Sequence, residues 1–261
     1  MEQHEQGIFV AEGEKVVRRL LESHFSVLSV VLPEKWLDDF RPLLEQRPEE
    51  IPVYLAEKQL LETLVGFSMF QGLLAVGKIP AAASLEHILE RAAPPRLLAA
   101  VEGLTNAENL GALVRNCVGF GAQGLLVSET SSSPFLRRAV RNSMGTIFQL
   151  PVVETADLAQ ALRELRSRGI RCIAAHPGAE SWHATFAGAP IALPQKNIAQ
   201  ADFSSDCCIV FGSEGYGISP AILACCDEAV GIPMPPTVDS LNVGAAAAVF
   251  LYEANRQRGR T

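Results

Sequence analysis

The sequence predicts an α/β protein of two domains, residues 1–93 and 94–261, with a mostly parallel sheet in the second. Three observations favour this class. Apolar, strand-like runs alternate with segments in which apolar residues recur at helical spacing. The runs of the second domain are apolar throughout, as in parallel strands that helices cover on both faces. The pair Pro94–Pro95 interrupts this alternation and predicts the boundary, because proline fixes φ and disfavours helix in the residue before it.

The first domain is predicted to be a small layered α/β structure. Helical spacing predicts helices in EGEKVVRRLLES (12–23), EKWLDDFRPLLEQ (34–46), EKQLLETLVG (57–66) and, as a short one, within KIPAAASLEHILERAAPP (78–95). Buried strands are predicted in FSVLSVVL (25–32), IPVYLA (51–56) and GLLAVG (72–77).

The second domain continues the alternation. Strands are predicted in RLLAAVEGL (96–104), GLLVSE (124–129), IFQLPVV (147–153), IRCIAAH (170–176), CCIVFGS (207–213) and EAVGIPM (228–234). Helices are predicted in NLGALVRNCVGFG (109–121), SPFLRRAVRNSMG (133–145), DLAQALRELRSRG (157–169), SPAILACC (219–226) and SLNVGAAAAVFLYEANRQR (240–258). Residues 178–205 are weakly patterned and are predicted to be loop.

The composition favours a soluble cytoplasmic protein. The most apolar windows are too short to span a bilayer, and the acidic start MEQHEQGIFVAEGEK lacks the order of a signal peptide. The net charge of −7 argues against nonspecific nucleic-acid binding. That charge is concentrated in residues 1–95, whereas arginines cluster locally in the second domain, so a local surface for an anionic ligand is not excluded.

The six cysteines are predicted to be structural. They form no C-x-x-C motif, and the five histidines do not stand at metal-ligand spacing beside them. Two of them, Cys207 and Cys208, lie in an apolar run, where cysteine behaves as a small hydrophobic residue. We expect neither a disulfide nor a metal site.

The segment VGFGAQGLLV (118–127) has the G-x-G-x-x-G spacing of a dinucleotide-binding turn. Such a turn needs a strand before the first glycine and a helix after the last. Here Gly119–Gly124 follows a predicted helix and precedes a predicted strand. The reversed order disfavours a nucleotide-dependent oxidoreductase.

The segment FGSEGYGIS (211–219) is a candidate binding loop. Gly212, Gly215 and Gly217 come directly after a buried strand, with Glu214 among them. Glycine lets the backbone approach a ligand closely, and parallel sheets bind ligands at the carboxyl ends of their strands. The alternative is a tight turn with a solvated glutamate, but three glycines exceed what a turn needs.

A second candidate loop precedes the last helix, in IPMPPTVDSLNVGAAAA (232–248). Ser240 is interpreted as the helix cap, a role that serine favours. Asn242 in the first turn has no comparable structural reason, which marks it as a candidate functional residue. Gly244 and the alanines after it form a helix face with small side chains, which favours close packing against a partner; the alternative is the helix propensity of alanine.

The helix that begins in TNAENLGALVRNCVGFG (105–121) carries Arg115 among apolar neighbours. Asn106 or Asn109 is a candidate N-cap. An arginine buried among apolar residues needs an anionic partner or dense hydrogen bonding. Two partners are open: a salt bridge to Glu214, or a bound phosphate.

Three ordered segments, 109–121, 211–217 and 232–243, resemble the motifs of the SpoU (TrmH-like) RNA ribose 2′-O-methyltransferases of the SPOUT superfamily. The stretch AVRNSMGTIFQLPV (139–152) is also similar, and the resemblance covers about residues 97–257. Residues 9–91 more loosely resemble the L30e-like RNA-binding domain, although Phe70 stands where relatives commonly have histidine.

The resemblance implies a SPOUT α/β domain with a deep trefoil knot, and S-adenosylmethionine as the cofactor. The cofactor contacts would come from Gly212, Ile232, Met234, Ser240 and Leu241. Relatives are homodimers whose active site is completed across the interface. RNA, either rRNA or tRNA, would be the substrate.

The resemblance also implies the catalytic set Asn109, Arg115, Glu214, Ser240 and Asn242. The arginine matching Arg115 is proposed in the family to assist deprotonation of the ribose 2′-OH. A guanidinium is permanently charged, so clamping the adjacent RNA phosphate suits it better than acting as a base. Asn109 and Asn242 would orient Arg115 and the ribose, and Glu214 would lock the loop or pair with Arg115.

Two further expectations concern RNA binding and departures from the family pattern. Arg137, Arg138 and Arg141 are candidate RNA-binding residues, although a solvated helix face is the alternative. Pro236 stands where many relatives have glycine, and Gly244 where many have serine. Because Ser240, Leu241 and Asn242 are retained, we expect an active enzyme; a catalytically silent RNA-binding protein is the alternative.

Overall fold

A computed structural model of the chain describes residues 6–65, 72–176, 193–235, 237–238 and 240–259. It contains a four-stranded sheet near the N-terminus and a seven-stranded sheet after it. Every pairing within the larger sheet is parallel. The predicted α/β class with a mostly parallel sheet is confirmed.

The first sheet has the order β1–β4–β2–β3, with β4 antiparallel to both of its neighbours. Its elements in chain order are β1 (Ile8–Glu12), α1 (Glu14–Leu21), β2 (Val27–Leu32), α2 (Leu37–Glu45), β3 (Val53–Leu55), α3 (Lys58–Val65) and β4 (Leu74–Lys78). Strand β1 has no counterpart among the predicted elements. Its pairing partner is β4, more than sixty residues further along the chain, so no local turn signal announces the strand.

The second sheet has the order β7–β6–β5–β10–β8–β11–β9. Its strands are β5 (Leu97–Val101), β6 (Gly124–Ser128), β7 (Val152–Thr155), β8 (Arg171–Ala175), β9 (Gln195–Asn197), β10 (Cys207–Phe211) and β11 (Glu228–Gly231). The helices around it are α4 (Leu85–Arg91), α5 (Ala107–Gly119), α6 (Arg137–Asn142), α7 (Leu158–Ser167), α8 (Pro220–Leu223) and α9 (Val243–Gln257). The trefoil knot stays a prediction of the resemblance.

Two elements that follow Pro95 in the chain differ from the prediction. The segment predicted as one strand over 147–153 is a 3₁₀ turn, Thr146–Gln149, followed by β7. Ile147 and Phe148 are apolar because they are buried in the core beside the first sheet, and not because they lie in the second sheet. Strand β9 and a 3₁₀ turn, Ile198–Gln200, lie where loop was predicted; the rest of that prediction falls largely outside the described residues.

An aromatic cluster connects the first sheet with residues that pack beside the second sheet. Phe9 of β1 and Phe25 lie with their ring centroids 5.3–6.0 Å from those of Phe135 and Phe148 of the second domain. Beside the cluster, Arg19 of α1 donates a 2.7 Å hydrogen bond to the carbonyl of Met144. The boundary at residue 93 stays a prediction, but the buried side chains of α4 already pack with those of the seven-stranded sheet.

The rejection of the dinucleotide turn is confirmed. Helix α5 ends at Gly119, Gly121 has a φ of +75°, and β6 begins at Gly124. The glycines end a helix and lead into a strand. A side chain at position 124 would overlap Ile88 of α4, which gives that glycine a packing reason of its own.

The cysteines are structural, as predicted. All six are buried and none is in a disulfide. Burial raises the pKa of Cys117 and of Cys226 to about 12 and that of Cys207 to about 11. These three thiols are therefore neutral at physiological pH. No helix of the described residues is both long and apolar enough to span a membrane.

Candidate active site

A cleft of about 390 Å³ opens where β5, β6 and β10 end. It is lined by Glu102, Gly103, Thr105, Thr130, Ser213, Glu214, Gly215, Tyr216, Gly217 and Ser219. Strand β10 pairs with β5 on one side and β8 on the other, although it follows both in the chain. From β5 the chain first adds β6 and β7 on one side and then crosses to the other. Open parallel sheets bind ligands outside the carboxyl ends of their strands at such a switch in direction.

The loop after β10 holds a fixed shape. Ser213 and Gly217 exchange two backbone hydrogen bonds, each of 2.9 Å, and the Ser213 hydroxyl accepts a third from the backbone of Tyr216. Gly217 has a φ of +66°, and a Cβ on Gly212 would overlap the backbone of Gly217. The conformation and packing of the loop itself therefore require glycine at two of the three positions. The third, Gly215, has open space around its Cα, so a ligand has room to approach its backbone.

Three predicted residues from three separate segments meet in one hydrogen-bonded chain. The Asn242 side-chain amide donates to Asn109 Oδ1 at 3.0 Å, and the Asn109 amide donates to Glu214 Oε1. Asn109 lies in α5, Glu214 in the glycine loop and Asn242 at the start of α9. Asn109 therefore binds the carboxylate of Glu214, which lines the cleft, and Asn242 links Asn109 to the start of α9.

The start of α9 corrects one interpretation. The N-cap is Asn242, whose Oδ1 accepts a 2.9 Å hydrogen bond from the backbone of Gly244. Ser240 lies two residues earlier and is exposed, so its assignment as the cap is wrong. Asn242 therefore does have a structural role, and its amide is left to donate to Asn109. In α5 the cap is Asn106, one of the two candidates.

Close packing explains the small residues of α9. A Cβ on Gly244 would lie 3.1 Å from the Cβ of Ala112, and Asn116 Nδ2 donates a 2.6 Å hydrogen bond to the Gly244 carbonyl. The partner of this helix face is α5. The prediction of close packing is confirmed at Gly244, where a serine side chain would have little room.

Arg115 is exposed, so the expectation that it is buried among apolar neighbours is wrong. Leu113, Val114 and Cys117 are buried on the other faces of α5. Arg115 makes no hydrogen bond or ion pair with any residue that the structure describes. Arg115 and Glu214 form no salt bridge, and the Glu214 carboxylate accepts a hydrogen bond from the Asn109 amide instead.

The remaining predicted cofactor residues follow β11. Ile232 is half-buried and packs against the main core, Met234 is half-buried, and Leu241 is 40% exposed. These three and Ser240 are not among the residues that line the cleft, whereas the loop after Gly212 is. Pro236 lies outside the described residues.

The three arginines proposed to bind RNA have different surroundings. Arg137 Nε lies 3.1 Å and Arg141 Nη1 3.4 Å from the carboxylate of Glu12, a buried side chain of β1. Arg138 is exposed. Two of the three therefore hold the first sheet against α6, a role that the sequence pattern did not indicate.

Part of the cleft is lined by residues that were not among the predicted site residues. Glu102 and Thr105 follow β5, and Thr130 follows β6. The Glu102 carboxylate accepts a 2.7 Å hydrogen bond from the backbone of Ser219, which ties the exit of β5 to the glycine loop. The rule that ligands bind at strand exits, applied to every predicted strand, points to these residues.

The fold and the cleft are those of an α/β protein with room for a small ligand at the strand exits of a parallel sheet. The model of the SpoU rRNA methylase family matches residues 96–252, more than half of the chain. The chain belongs to the SpoU rRNA methylase family.

Relatives of similar length support this assignment. An uncharacterized tRNA/rRNA methyltransferase of Mycobacterium tuberculosis is 32% identical over 95% of this chain and 81% of its own. A second one, from Mycobacterium bovis, is 31% identical over the same shares.

Solved structures show the same fold over nearly the whole chain. The SpoU methyltransferase AviRb of Streptomyces viridochromogenes in complex with AdoMet aligns with 100% of this chain and 94% of its own, with a TM-score of 0.81 and 23% identity. A structure described as an RNA 2′-O ribose methyltransferase aligns with 98% of this chain and 91% of its own, with a TM-score of 0.76 and 25% identity.

Proposed function

We propose that the protein transfers a methyl group from S-adenosylmethionine to a ribose 2′-OH of structured RNA, either rRNA or tRNA. The observation that carries this proposal is the hydrogen-bonded chain Asn242–Asn109–Glu214, which brings the three motifs of the resemblance together beside the cleft. Membership of the SpoU family supports the methyl transfer, and the likeness to an RNA 2′-O ribose methyltransferase supports the ribose as the acceptor.

The cleft suits a donor of this size and chemistry. Its volume of about 390 Å³ falls in the range of small-molecule sites, roughly 300–1,000 Å³. Its walls combine glycine backbone with the hydroxyls of Thr105, Thr130 and Ser219. S-adenosylmethionine, when bound, supplies an activated methyl group on a sulfonium. The donor would extend from the cleft to the proposed backbone contacts at Gly212, Ile232 and Leu241. Met234 and Ser240 would lie beside them, and none of these five residues lines the cleft itself.

The protein's task is then to position the acceptor and accept its proton. We assign Arg115 to the RNA phosphate next to the target ribose, because its guanidinium is exposed and unpaired among the described residues. The planar fork of a guanidinium binds phosphate through two parallel hydrogen bonds. Asn109 and Asn242 orient the acceptor side of the cleft, and Glu214 is held in place by Asn109.

The proposal also gives RNA binding to residues 9–91 and dimerisation to α9. Residues 9–91 are proposed to bind RNA as an L30e-like domain, with exposed Arg138 contributing from α6. A homodimer is proposed through α9, where Ala245, Val249 and Tyr252 form an exposed stripe with helical spacing. Phe120, the C-cap of α5, extends the stripe, since its ring lies edge-on to Tyr252 with centroids 6.1 Å apart.

The test compares wild type with Arg115→Ala and Arg115→Lys. Each protein is incubated with radiolabelled S-adenosylmethionine and total RNA, and 2′-O-methylated nucleotides are mapped. We expect Arg115→Ala to lower methyl transfer at least about a hundredfold, and Arg115→Lys to restore only part of it. Donor binding, measured by calorimetry, should be nearly unchanged.

Two outcomes contradict the proposal. Wild type that binds RNA and the donor without transferring a methyl group favours a catalytically silent RNA-binding protein. Methylation that maps to a base rather than to ribose disproves the acceptor. Normal transfer by Arg115→Ala disproves the role of Arg115 alone.

A further inference from the structure

Tyr216 stands out among the apolar side chains of the surface. Its side chain is 82% exposed, whereas no other exposed large apolar side chain in the described ranges exceeds 58%. It lies at the tip of the loop after β10 and lines the cleft. Because this ring lies at the edge of the cleft, a ligand that enters the cleft can reach and cover it.

The loop presents this ring without needing to rearrange. The exchanged hydrogen bonds of Ser213 and Gly217 close the loop, and the backbone of Tyr216 itself donates to the Ser213 hydroxyl at 3.0 Å. On the other side, Glu214 is bound by Asn109. Binding to a fixed loop costs little conformational entropy, so most of the free energy gained on covering the ring is retained.

The ring itself is free to bind. Tyr216 has no ring contact and no side-chain hydrogen bond with any residue in the part of the chain that the structure describes. Its phenol presents a flat apolar face together with a polar edge, the combination that stacks on RNA bases in proteins. An unpaired base that has left its neighbours in the RNA loses its stacking partners, and an aromatic face replaces one of them.

We infer that Tyr216 stacks on the base of the nucleotide whose ribose is methylated, an inference that rests on the proposed function. The base is attached directly to the ribose, so a ribose whose 2′-oxygen enters the cleft brings its base to the cleft edge. Stacking accepts any base, because every base has a π face. Tyr216 would therefore position the target nucleotide, and the choice of RNA would depend on contacts elsewhere.

The test is a cycle that combines a protein variant with an RNA variant. The methylated nucleotide is first mapped with wild type, and a short RNA containing it is then made with and without the base at that nucleotide. Wild type, Tyr216→Phe and Tyr216→Leu are compared on both RNAs. Loss of one stacked base corresponds to roughly 5- to 150-fold in affinity.

On intact RNA we expect Tyr216→Leu to raise the KM for RNA by that factor, with kcat and donor affinity nearly unchanged. Tyr216→Phe keeps the π face and should stay within about twofold of wild type. On RNA lacking the base, wild type should lose the same factor, and Tyr216→Leu should lose nothing further. Losses that fail to add show that the ring and the base are coupled, as groups in contact are, whereas independent sites give additive losses.

Each other result overturns the inference. Additive losses mean that the ring and that base do not touch. If Tyr216→Leu binds the donor more weakly than wild type, the ring contacts the donor. If Tyr216→Leu sediments differently from wild type, the ring contacts a second copy of the chain. If wild type methylates no RNA at all, both the proposed function and the inference fail. Additive losses on an RNA that is methylated would instead contradict the inference alone.

Discussion

Asn109 accepts a 3.0 Å hydrogen bond from the amide of Asn242, a residue 133 positions further along the chain, and donates its own amide to Glu214. One side chain thus joins the start of α5, the glycine loop and the start of α9. An amide is needed at this position because it must accept on one side and donate on the other. The carboxamide of asparagine does both at the same time.

Asn109→Asp tests this double role. A carboxylate at position 109 would still accept from Asn242 but would repel Glu214, so the loop should lose its anchor. Hydrogen bonds to charged groups contribute about 1.5–3 kcal/mol, so we expect kcat/KM for methyl transfer to fall roughly 10- to 150-fold. The control is Asn197→Asp, at the cap of the 3₁₀ turn Ile198–Gln200, where aspartate caps equally well. Equal activities of the two variants would contradict the assignment.

Gly212→Ala tests the shape of the loop. The added methyl group would overlap the backbone of Gly217, so the loop must open to accommodate it. We expect donor affinity, measured by calorimetry, to fall at least about tenfold. Gly215→Ala adds the same group to the same loop where no atom lies within 4 Å, and it should fold with wild-type stability. A Gly212→Ala protein that binds the donor normally would show that the loop shape is not required.

Glu12→Gln tests the contact between the first sheet and α6. The buried carboxylate of Glu12 is shared by Arg137 and Arg141, and both guanidiniums are partly exposed. We expect the free energy of unfolding to fall by about 1–3 kcal/mol. This loss is smaller than that for breaking a fully buried ion pair, because water can bind the two partly exposed guanidiniums. Urea denaturation measures it. Glu164→Gln removes an exposed pair with Arg168 and should cost less than about 0.5 kcal/mol. Similar costs for both would mean that Glu12 is no more than a surface charge.

Val249→Glu tests the proposed dimer. Val249 lies at the centre of the exposed stripe of α9, and an unpaired charge buried in an interface costs several kcal/mol. We expect the dimer to weaken at least about a hundredfold, measured by analytical ultracentrifugation. Leu60→Glu places the same charge on α3, where Leu60 is 55% exposed, and should leave the association unchanged. A monomeric wild type would disprove the proposal outright.

The buried thiols predict how stability depends on pH. Burial raises the pKa of Cys117 from an ordinary value of 9.0 to about 12, so the folded protein retains a proton that the unfolded chain loses above pH 9.0. The contribution is complete below that pH and is lost as pH rises toward about 12. Urea denaturation across this range should show the free energy of unfolding decreasing, and Cys117→Ala should lessen the decrease. At neutral pH, a thiol reagent should label the cysteines only after unfolding; rapid labelling of the native protein would contradict their burial.

Local patterns predicted most of the helices and strands because burial on one or both faces leaves a period in the sequence. Residue type predicts two further features, the glycine loop after β10 and the small-residue face of α9. Glycine at a strand exit and alanine along a helix each have few structural explanations. Strand β1 and the 3₁₀ turn Thr146–Gln149 were missed. Their apolar side chains, such as Phe9 and Phe148, pack against residues far away in the chain, and such contacts leave no local period.

The functions of individual polar residues were less accessible to sequence reasoning. Arg115 has apolar neighbours in sequence, yet these point to the other faces of α5 and leave the guanidinium in solvent. Asn242 is a helix cap that also reaches Asn109, and Arg137 and Arg141 are held by an acid from the first sheet. In each case the partner of the side chain decided its role, and that partner comes from a distant segment.

The sequence by itself determined the α/β class, the strand exits that could bind a ligand and the residue types available there. Only the tertiary structure decided that Asn109 binds Glu214, that Arg115 is unpaired within the described residues, and that Tyr216 faces solvent at the cleft. The physical reason is that periodicity and propensity act over a few residues, whereas hydrogen bonds and burial depend on which distant segments the sheet order places side by side.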